Sequence, residues 1–154
     1  MSDEHEMKIV IERVFEAPRD LVWKVWTEAE HVAQWWGPGG METRVDGLDF
    51  RVGGSWSYVM LAPDGSEYPQ SGIFSEIVPP AKIVTSAVFN YGPGMEQQAV
   101  MTYEFEDLGT QTKLTMTHLQ AMAEEPSEEM VMGVTMGWNS NWDSLVAYLP
   151  TLAA

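Results

Sequence analysis

Apolar and polar side chains alternate with a period of two between residues 43 and 119, and this pattern constrains the fold more than any other feature. The alternation is clearest in residues 55–60, 99–105 and 114–118. It is typical of antiparallel strands that bury one face and leave the other wetter. The pattern therefore predicts a run of about six strands separated by turns that contain Gly or Pro.

Other periodicities precede and follow this run. Residues 7–16 are apolar and β-branched and predict a strand, and residues 21–26 and 28–34 predict two short helices. Pro126 to Glu129 is typical of a helix start. An apolar stripe then follows at helical spacing, formed by Val131, Val134, Trp138, Leu145 and Leu149. This order predicts an α+β fold with an antiparallel sheet and helices on one face.

Length and charge exclude several classes of protein. The chain has 154 residues, which predicts one domain over residues 1–154. Eight basic residues against 23 acidic ones give a net charge of −15, which argues against a nucleic-acid or anionic-membrane partner. Cysteine is absent, and no stretch approaches the roughly 18 apolar residues of a membrane span. We therefore expect a soluble, cytoplasmic protein that does not insert into membranes.

Common catalytic and cofactor motifs are absent. The sequence has no nucleophile elbow, phosphate-binding loop or dinucleotide-binding glycine motif. The three histidines, His5, His31 and His118, are far apart and lack metal-ligand spacing. We predict neither a cofactor nor a metal site.

Several ordered segments resemble the START-like (SRPBCC) superfamily, and within it the branch named for the activator of Hsp90 ATPase homologues. The resemblance extends over about residues 8–149. The segments that carry it are Phe15 to Trp23, Trp35 to Pro38, Asp49 to Trp56, Gly72 to Pro80, and Gly137-Trp138 with Leu145.

This resemblance implies a helix-grip fold (START/Bet v 1-like), in which a curved seven-stranded antiparallel sheet wraps a long C-terminal helix. Two short helices would follow the first strand, and a cavity can lie between sheet and long helix. Related proteins bind lipids, sterols, polyketides or plant hormones, and some cyclise or hydrolyse small molecules. The eukaryotic namesake stimulates Hsp90 but carries an additional N-terminal domain, to which nothing in these residues corresponds.

Aromatic and methionine side chains are the main candidates for a ligand site. We predict that six of them point inward from the strands and that Met132 and Met136 face them from the helix. The resemblance also puts Trp36 at the cavity mouth. Gly133 and Gly137, inside the long helix, suggest close approach of the sheet or a ligand. The alternatives are that these side chains simply pack as core and that Trp36 anchors the short helices. The six strand residues are Trp56, Tyr58, Phe74, Met101, Tyr103 and Met116.

Glu76 and His118 are predicted to face inward by alternation. As a pair they would form an acid/base couple. The alternatives are an ion pair of Glu76 with Arg13 or Arg51, and a backbone hydrogen bond from His118. Arg51 can also pair with Asp49.

Three hypotheses for function follow. The favoured one is a small binding protein that holds an apolar or aromatic molecule between sheet and helix. The second is an enzyme of the same fold, a cyclase or hydrolase, that uses Glu76 and His118. The third is a protein-binding module, related to chaperones, that presents an exposed apolar patch. The oligomeric state stays open, because an edge strand can pair with a second copy.

Overall fold

A computed structural model of the chain describes residues 5–37, 41–90, 96–122 and 124–152. Its helices are α1 (Arg19–Thr27), α2 (Ala29–Trp35) and α3 (Glu128–Tyr148), and a 3-10 turn follows at Leu149–Leu152. Its strands are β1 (His5–Phe15), β2 (Glu42–Leu48), β3 (Ser55–Leu61), β4 (Glu67–Val78), β5 (Lys82–Asn90), β6 (Glu96–Asp107) and β7 (Thr112–Met122).

The strands form one antiparallel sheet of seven strands in the order β1-β7-β6-β5-β4-β3-β2. The first strand therefore pairs with the last, and the two short helices lie between β1 and β2 in the chain. The predicted fold class is confirmed: a seven-stranded sheet, a long C-terminal helix and two short helices after the first strand.

Local sequence explains where α3 begins and how it is held. The Ser127 hydroxyl accepts a hydrogen bond from the Met130 backbone amide at 3.1 Å, and Glu128 lies in the first turn, near the positive end of the helix dipole. Arg13 of β1 holds the helix from the sheet side, with 2.8 Å between its Nη1 and Asp143 Oδ1. Of the described helices, none combines the length and hydropathy needed to cross a bilayer.

Burial alternates along β7, where Leu114, Met116 and His118 are all buried. Strand β4 departs from this regularity. Its register with β5 shifts between Phe74 and Glu76, so that Ser75 is the additional residue of a bulge.

The bulge overturns the prediction for Glu76. Because the strand contains one extra residue, the side chains after the bulge point to the opposite face from the one that alternation predicts. Glu76 therefore lies on the outer face of the sheet, although Phe74, two residues earlier, is buried. The Glu76 carboxylate is exposed and lies 3.4 Å from Lys82 Nζ. The predicted ion pairs of Glu76 with Arg13 or Arg51 are also wrong, because Arg13 contacts Asp143 and Arg51 contacts Asp49.

The core lies between the inner face of the sheet and the helices, and tryptophan dominates it. Trp26 packs against Trp35 and Tyr103, with ring centroids 4.9 and 4.5 Å apart. From the C-terminal half of α3, Trp142 and Leu145 are fully buried. The N-terminal half of α3 contains no buried residue before Trp138, so space remains beneath it.

Candidate functional site

A pocket of about 620 Å³ lies between the N-terminal half of α3 and the inner face of the sheet. The helix contributes residues spaced three and four apart, which share one face of an α-helix. They are Met130, Gly133, Val134, Gly137, Trp138 and Asn141.

The opposite wall comes from the sheet and from the segment after α2. It consists of apolar and aromatic side chains with two glutamines and one imidazole. None of the described residues that line the pocket carries a formal charge at neutral pH. A pocket of this size and composition suits an apolar small molecule. The residues of this wall are Trp36, Met41, Met60, Tyr68, Gln70, Phe89, Gln97 and His118.

Gly133 and Gly137 leave the space under the helix open. A Cβ built at either position meets no heavy atom within 4 Å. The sheet therefore does not approach the helix closely at these glycines, and side chains there would occupy the pocket. In the sequence, two glycines four residues apart in a helix were the signal for this space.

Trp36 forms part of the pocket wall and also of the core. Its indole Nε1 donates to Gln70 Oε1 at 3.0 Å, and its ring lies 5.9 Å from that of Trp138. The neighbouring Trp35 is buried too and donates to the Val25 carbonyl at 2.9 Å. Trp36 thus anchors the end of α2 and presents a face to the pocket.

His118 lies on the inner face of β7, almost fully buried. Its Nδ1 accepts from Trp138 Nε1 at 3.3 Å, and its Nε2 lies 2.9 Å from Gln120 Oε1. The Phe89 ring is parallel to the imidazole, with 6.2 Å between centroids. Burial lowers the pKa of His118 below its ordinary value, so the imidazole is neutral at pH 7.

The predicted site residues of the strands other than Glu76 and His118 lie in a second small cavity or in the core. Trp56, Tyr58, Phe74 and Tyr103 line a second cavity of about 20 Å³, which has room for about one water molecule. Burial raises the pKa of both tyrosines, so they stay protonated. Met101 and Met116 are fully buried core residues and line neither of these two pockets.

Met132 and Met136 do not face the strands, contrary to prediction. Their side chains are 61% and 64% exposed. Each lies two residues from Val134 in the sequence, which on an α-helix is about 200° of rotation and therefore the opposite face. Val134 and Trp138, which the predicted apolar stripe already contained, line the pocket instead.

The predicted acid/base couple is wrong, because Glu76 and His118 lie on opposite faces of the sheet. Both ring nitrogens of His118 already have partners. In the part of the pocket that the structure describes, no carboxylate is present to exchange a proton with it. Such a lining has the space to hold a molecule and polar groups to orient it, and its described residues include no carboxylate that could serve as a general base.

Sequence reasoning missed the polar residues of the pocket, namely Gln70, Gln97 and Asn141. Gln70 precedes Gly72 and Phe74 at intervals of two and therefore shares their buried face. That alternation was a usable signal. Nothing in the helical pattern marked Asn141 as part of the site.

One group of side chains outside the pocket has metal-ligand chemistry. Glu28, Glu30 and His31, at the start of α2, have potential ligand atoms within 4.8 Å of one another. The His31 Nδ1 lies 2.7 Å from the Tyr148 hydroxyl. Glu30 is exposed and the other two are half-buried, and exposed acidic groups of this kind are common without an ion.

Comparison with known proteins gives a family and a fold. A family model described as activator of Hsp90 ATPase homolog 1-like protein matches residues 16–150. Similar solved structures include a Chromobacterium violaceum protein with a TM-score of 0.78 and 23% identity, covering 92% of this chain and 96% of that one. An Arthrobacter aurescens protein has a TM-score of 0.77 and 25% identity, covering 96% and 87%. An AHSA1 protein from Silicibacter pomeroyi has a TM-score of 0.74 and 23% identity, covering 94% and 99%. No curated protein matches the chain.

Proposed function

We propose that this chain, which belongs to the family of activator of Hsp90 ATPase homolog 1-like proteins, binds an apolar small molecule between α3 and the sheet. The observation that carries the proposal is the pocket of about 620 Å³ with an uncharged lining. Ligand pockets in proteins have volumes of roughly 300–1,000 Å³ and are mostly apolar with a few polar groups.

The lining supports a ligand with an apolar body. Met41, Met60 and Met130 are flexible and adapt to irregular shapes, and Trp36 and Trp138 offer rigid aromatic faces. Each square ångström of apolar surface removed from water contributes about 25 cal/mol. A ligand that covers these side chains therefore gains most of its affinity from apolar burial.

A role as an enzyme is less well supported. A cyclase or hydrolase needs a group that moves a proton. In the neutral His118 the Nε2–H donates to Gln120 Oε1 and Nδ1 accepts from Trp138, so both nitrogens are already engaged within the protein. Binding without turnover requires only the space and the lining.

Two matched double variants of α3 test the proposal. Gly133→Leu with Gly137→Leu adds two apolar side chains to the pocket lining, at positions where an added Cβ meets no heavy atom within 4 Å. Met132→Leu with Met136→Leu alters the exposed face of the same turns. The probe is N-phenyl-1-naphthylamine, whose fluorescence rises in apolar surroundings.

We expect saturable probe binding to the wild type and to the methionine double variant. The glycine double variant should bind at least about tenfold more weakly while keeping its circular dichroism spectrum. Absence of saturable binding to the wild type, or equal affinity in all three proteins, would contradict the proposal.

A further inference from the structure

In the hydrogen bonds around the pocket, the amide oxygens of the lining accept and their NH₂ groups are left as donors. From this pattern we infer that the ligand is an uncharged molecule with a hydrogen-bond acceptor such as a carbonyl oxygen. This inference rests on the proposed function. It concerns which chemistry the polar groups of the same pocket recognise. Indole and backbone N–H groups donate hydrogen bonds and cannot accept them, so each one identifies its partner atom as an acceptor.

Two side-chain amides in the pocket have their oxygens occupied. Trp36 Nε1 donates to Gln70 Oε1 at 3.0 Å, and the Gly37 backbone nitrogen donates to Asn141 Oδ1 at 2.9 Å. Because these donors cannot accept, the orientation of both amides is fixed. Gln70 Nε2 has only a weak contact with the Met60 sulfur at 3.5 Å. Asn141 Nδ2 has no hydrogen-bond partner within the described residues.

The third amide, that of Gln97, lies at the end of a chain of hydrogen bonds that starts at Trp138. The Trp138 indole N–H donates to His118 Nδ1, so the proton of the neutral imidazole is on Nε2. His118 Nε2 in turn donates to Gln120 Oε1 at 2.9 Å. Gln120 Nε2 then donates to Gln97 Oε1 at 3.2 Å. This chain of hydrogen bonds therefore occupies the Gln97 oxygen and leaves its NH₂ group as a donor, and Gln97 lines the pocket.

The same hydrogen-bonding pattern holds for the three amides, Gln70, Gln97 and Asn141. Each amide oxygen already accepts a hydrogen bond within the protein, and each NH₂ group remains as a donor toward the pocket. A ligand that pairs with these NH₂ groups must contain a hydrogen-bond acceptor. Tyr68 also lines the pocket, and because its hydroxyl can donate as well as accept, it is compatible with a ligand that accepts hydrogen bonds.

Charge argues against an ionised ligand. The described lining has no Lys or Arg to pair with an anion and no Asp or Glu to pair with a cation. An ion that leaves water without a counter-charge is strongly disfavoured. The net charge of −15 further opposes an anion, and the NH₂ groups oppose a cation.

Four probes with one ring system test the inference: 2-ethylnaphthalene, 2-acetonaphthone, 2-naphthoate and 1-(2-naphthyl)ethylamine. They differ in presenting no polar group, an acceptor, an anion and a cation. Affinities are measured by displacement of N-phenyl-1-naphthylamine at a pH of about 8, where His118 is neutral. We expect 2-acetonaphthone to bind about 3- to 10-fold more tightly than 2-ethylnaphthalene, and both ions to bind more weakly than either.

Gln97→Glu removes the terminal donor and keeps the oxygen that accepts from Gln120. It should abolish the preference for 2-acetonaphthone over 2-ethylnaphthalene. Gln98→Glu, on the exposed face of β6, adds the same charge outside the pocket and should keep the preference. The ratio of the two affinities is the readout, so a general loss of stability does not imitate the effect.

The outcomes separate this inference from the proposed function. Equal affinities for the two neutral probes, tighter binding of either ion, or an unchanged ratio in Gln97→Glu would overturn the inference and leave the proposed function intact. Failure of the wild type to bind both the dye and every probe would overturn both.

Discussion

A buried imidazole is stable in a core only when its nitrogens have partners, and His118 has them in Trp138 and Gln120. Protonation would place a hydrogen on Nδ1, which then could no longer accept from the Trp138 indole. His118 therefore depends on staying neutral. This dependence couples folding to pH.

The first prediction is that the free energy of unfolding falls as the pH falls below about 6.5. Burial lowers the pKa of His118 in the folded chain below its ordinary value of 6.5. The unfolded chain then binds more protons than the folded chain, so the contribution of His118 is complete above pH 6.5 and is lost toward the folded pKa. Urea unfolding at several pH values between about 7.5 and 5.5 measures this dependence.

His118→Gln should lower the stability at neutral pH and flatten the pH dependence in this window. His5→Gln is the matched control, because His5 is exposed at the start of β1. A pH dependence that is equally steep in His118→Gln and in the wild type would contradict the prediction.

At the scale of elements, β4 combines a close approach with a bulge. Gly72 pairs with Trp56 on β3 and faces Ser86 on β5. A Cβ at Gly72 would lie 1.9 Å from the Ser86 carbonyl oxygen and 2.6 Å from Trp56 Nε1. Only glycine fits there, and two residues later the bulge begins.

Gly72→Ala should destabilise the protein by about 3 kcal/mol or more, because the backbone of β5 must move away. Gly47→Ala, in β2, is the control. A Cβ there meets nothing within 4 Å, so the change in the free energy of unfolding should stay within about 1 kcal/mol. Urea unfolding of both variants measures the difference. Equal effects of the two substitutions would show that β5 yields easily at this point.

Helix α3 illustrates how one element can have two environments. Its C-terminal half buries Trp142 and Leu145 completely, and its N-terminal half borders the pocket with Gly133 and Gly137. The glycines are rotated by more than about 100° around the helix from Trp142, so the pocket border and the buried C-terminal half use different parts of the helix surface.

At the scale of the molecule, charge is strongly unbalanced. The chain has eight basic residues and 23 acidic ones. Several of its ion pairs, such as Arg44 with Asp46 and Lys82 with Glu76, are exposed to solvent. Exposed pairs of this kind contribute little to stability. Repulsion among the remaining carboxylates destabilises the folded chain.

Salt should therefore raise the melting temperature at neutral pH. We expect an increase of roughly 2–5 °C between about 0.02 M and about 0.5 M NaCl, because the Debye length shortens and repulsion weakens. Thermal unfolding followed by circular dichroism measures the change. Melts in sucrose of equal osmolality separate charge screening from solute exclusion. A melting temperature that stays constant or falls with NaCl would contradict the prediction.

Much of the fold could be predicted because it depends on local periodicity. Alternation located the strands, the Pro126 to Glu129 segment located the start of α3, and family motifs implied the seven-stranded sheet. The site was predicted less well. His118 and Trp36 line the pocket, but Met132 and Met136 are exposed and Glu76 is on the outer face.

The sequence by itself determined the order of the elements, the apolar face of most strands and the net charge, because each follows from neighbouring residues or from composition. Only the tertiary structure decided the face of Glu76, since a bulge depends on pairing between β4 and β5. It also decided the polarity of the pocket. That polarity arises because Gln70, Gln97 and Asn141 receive donors that are distant in the chain, and no local pattern encodes such contacts.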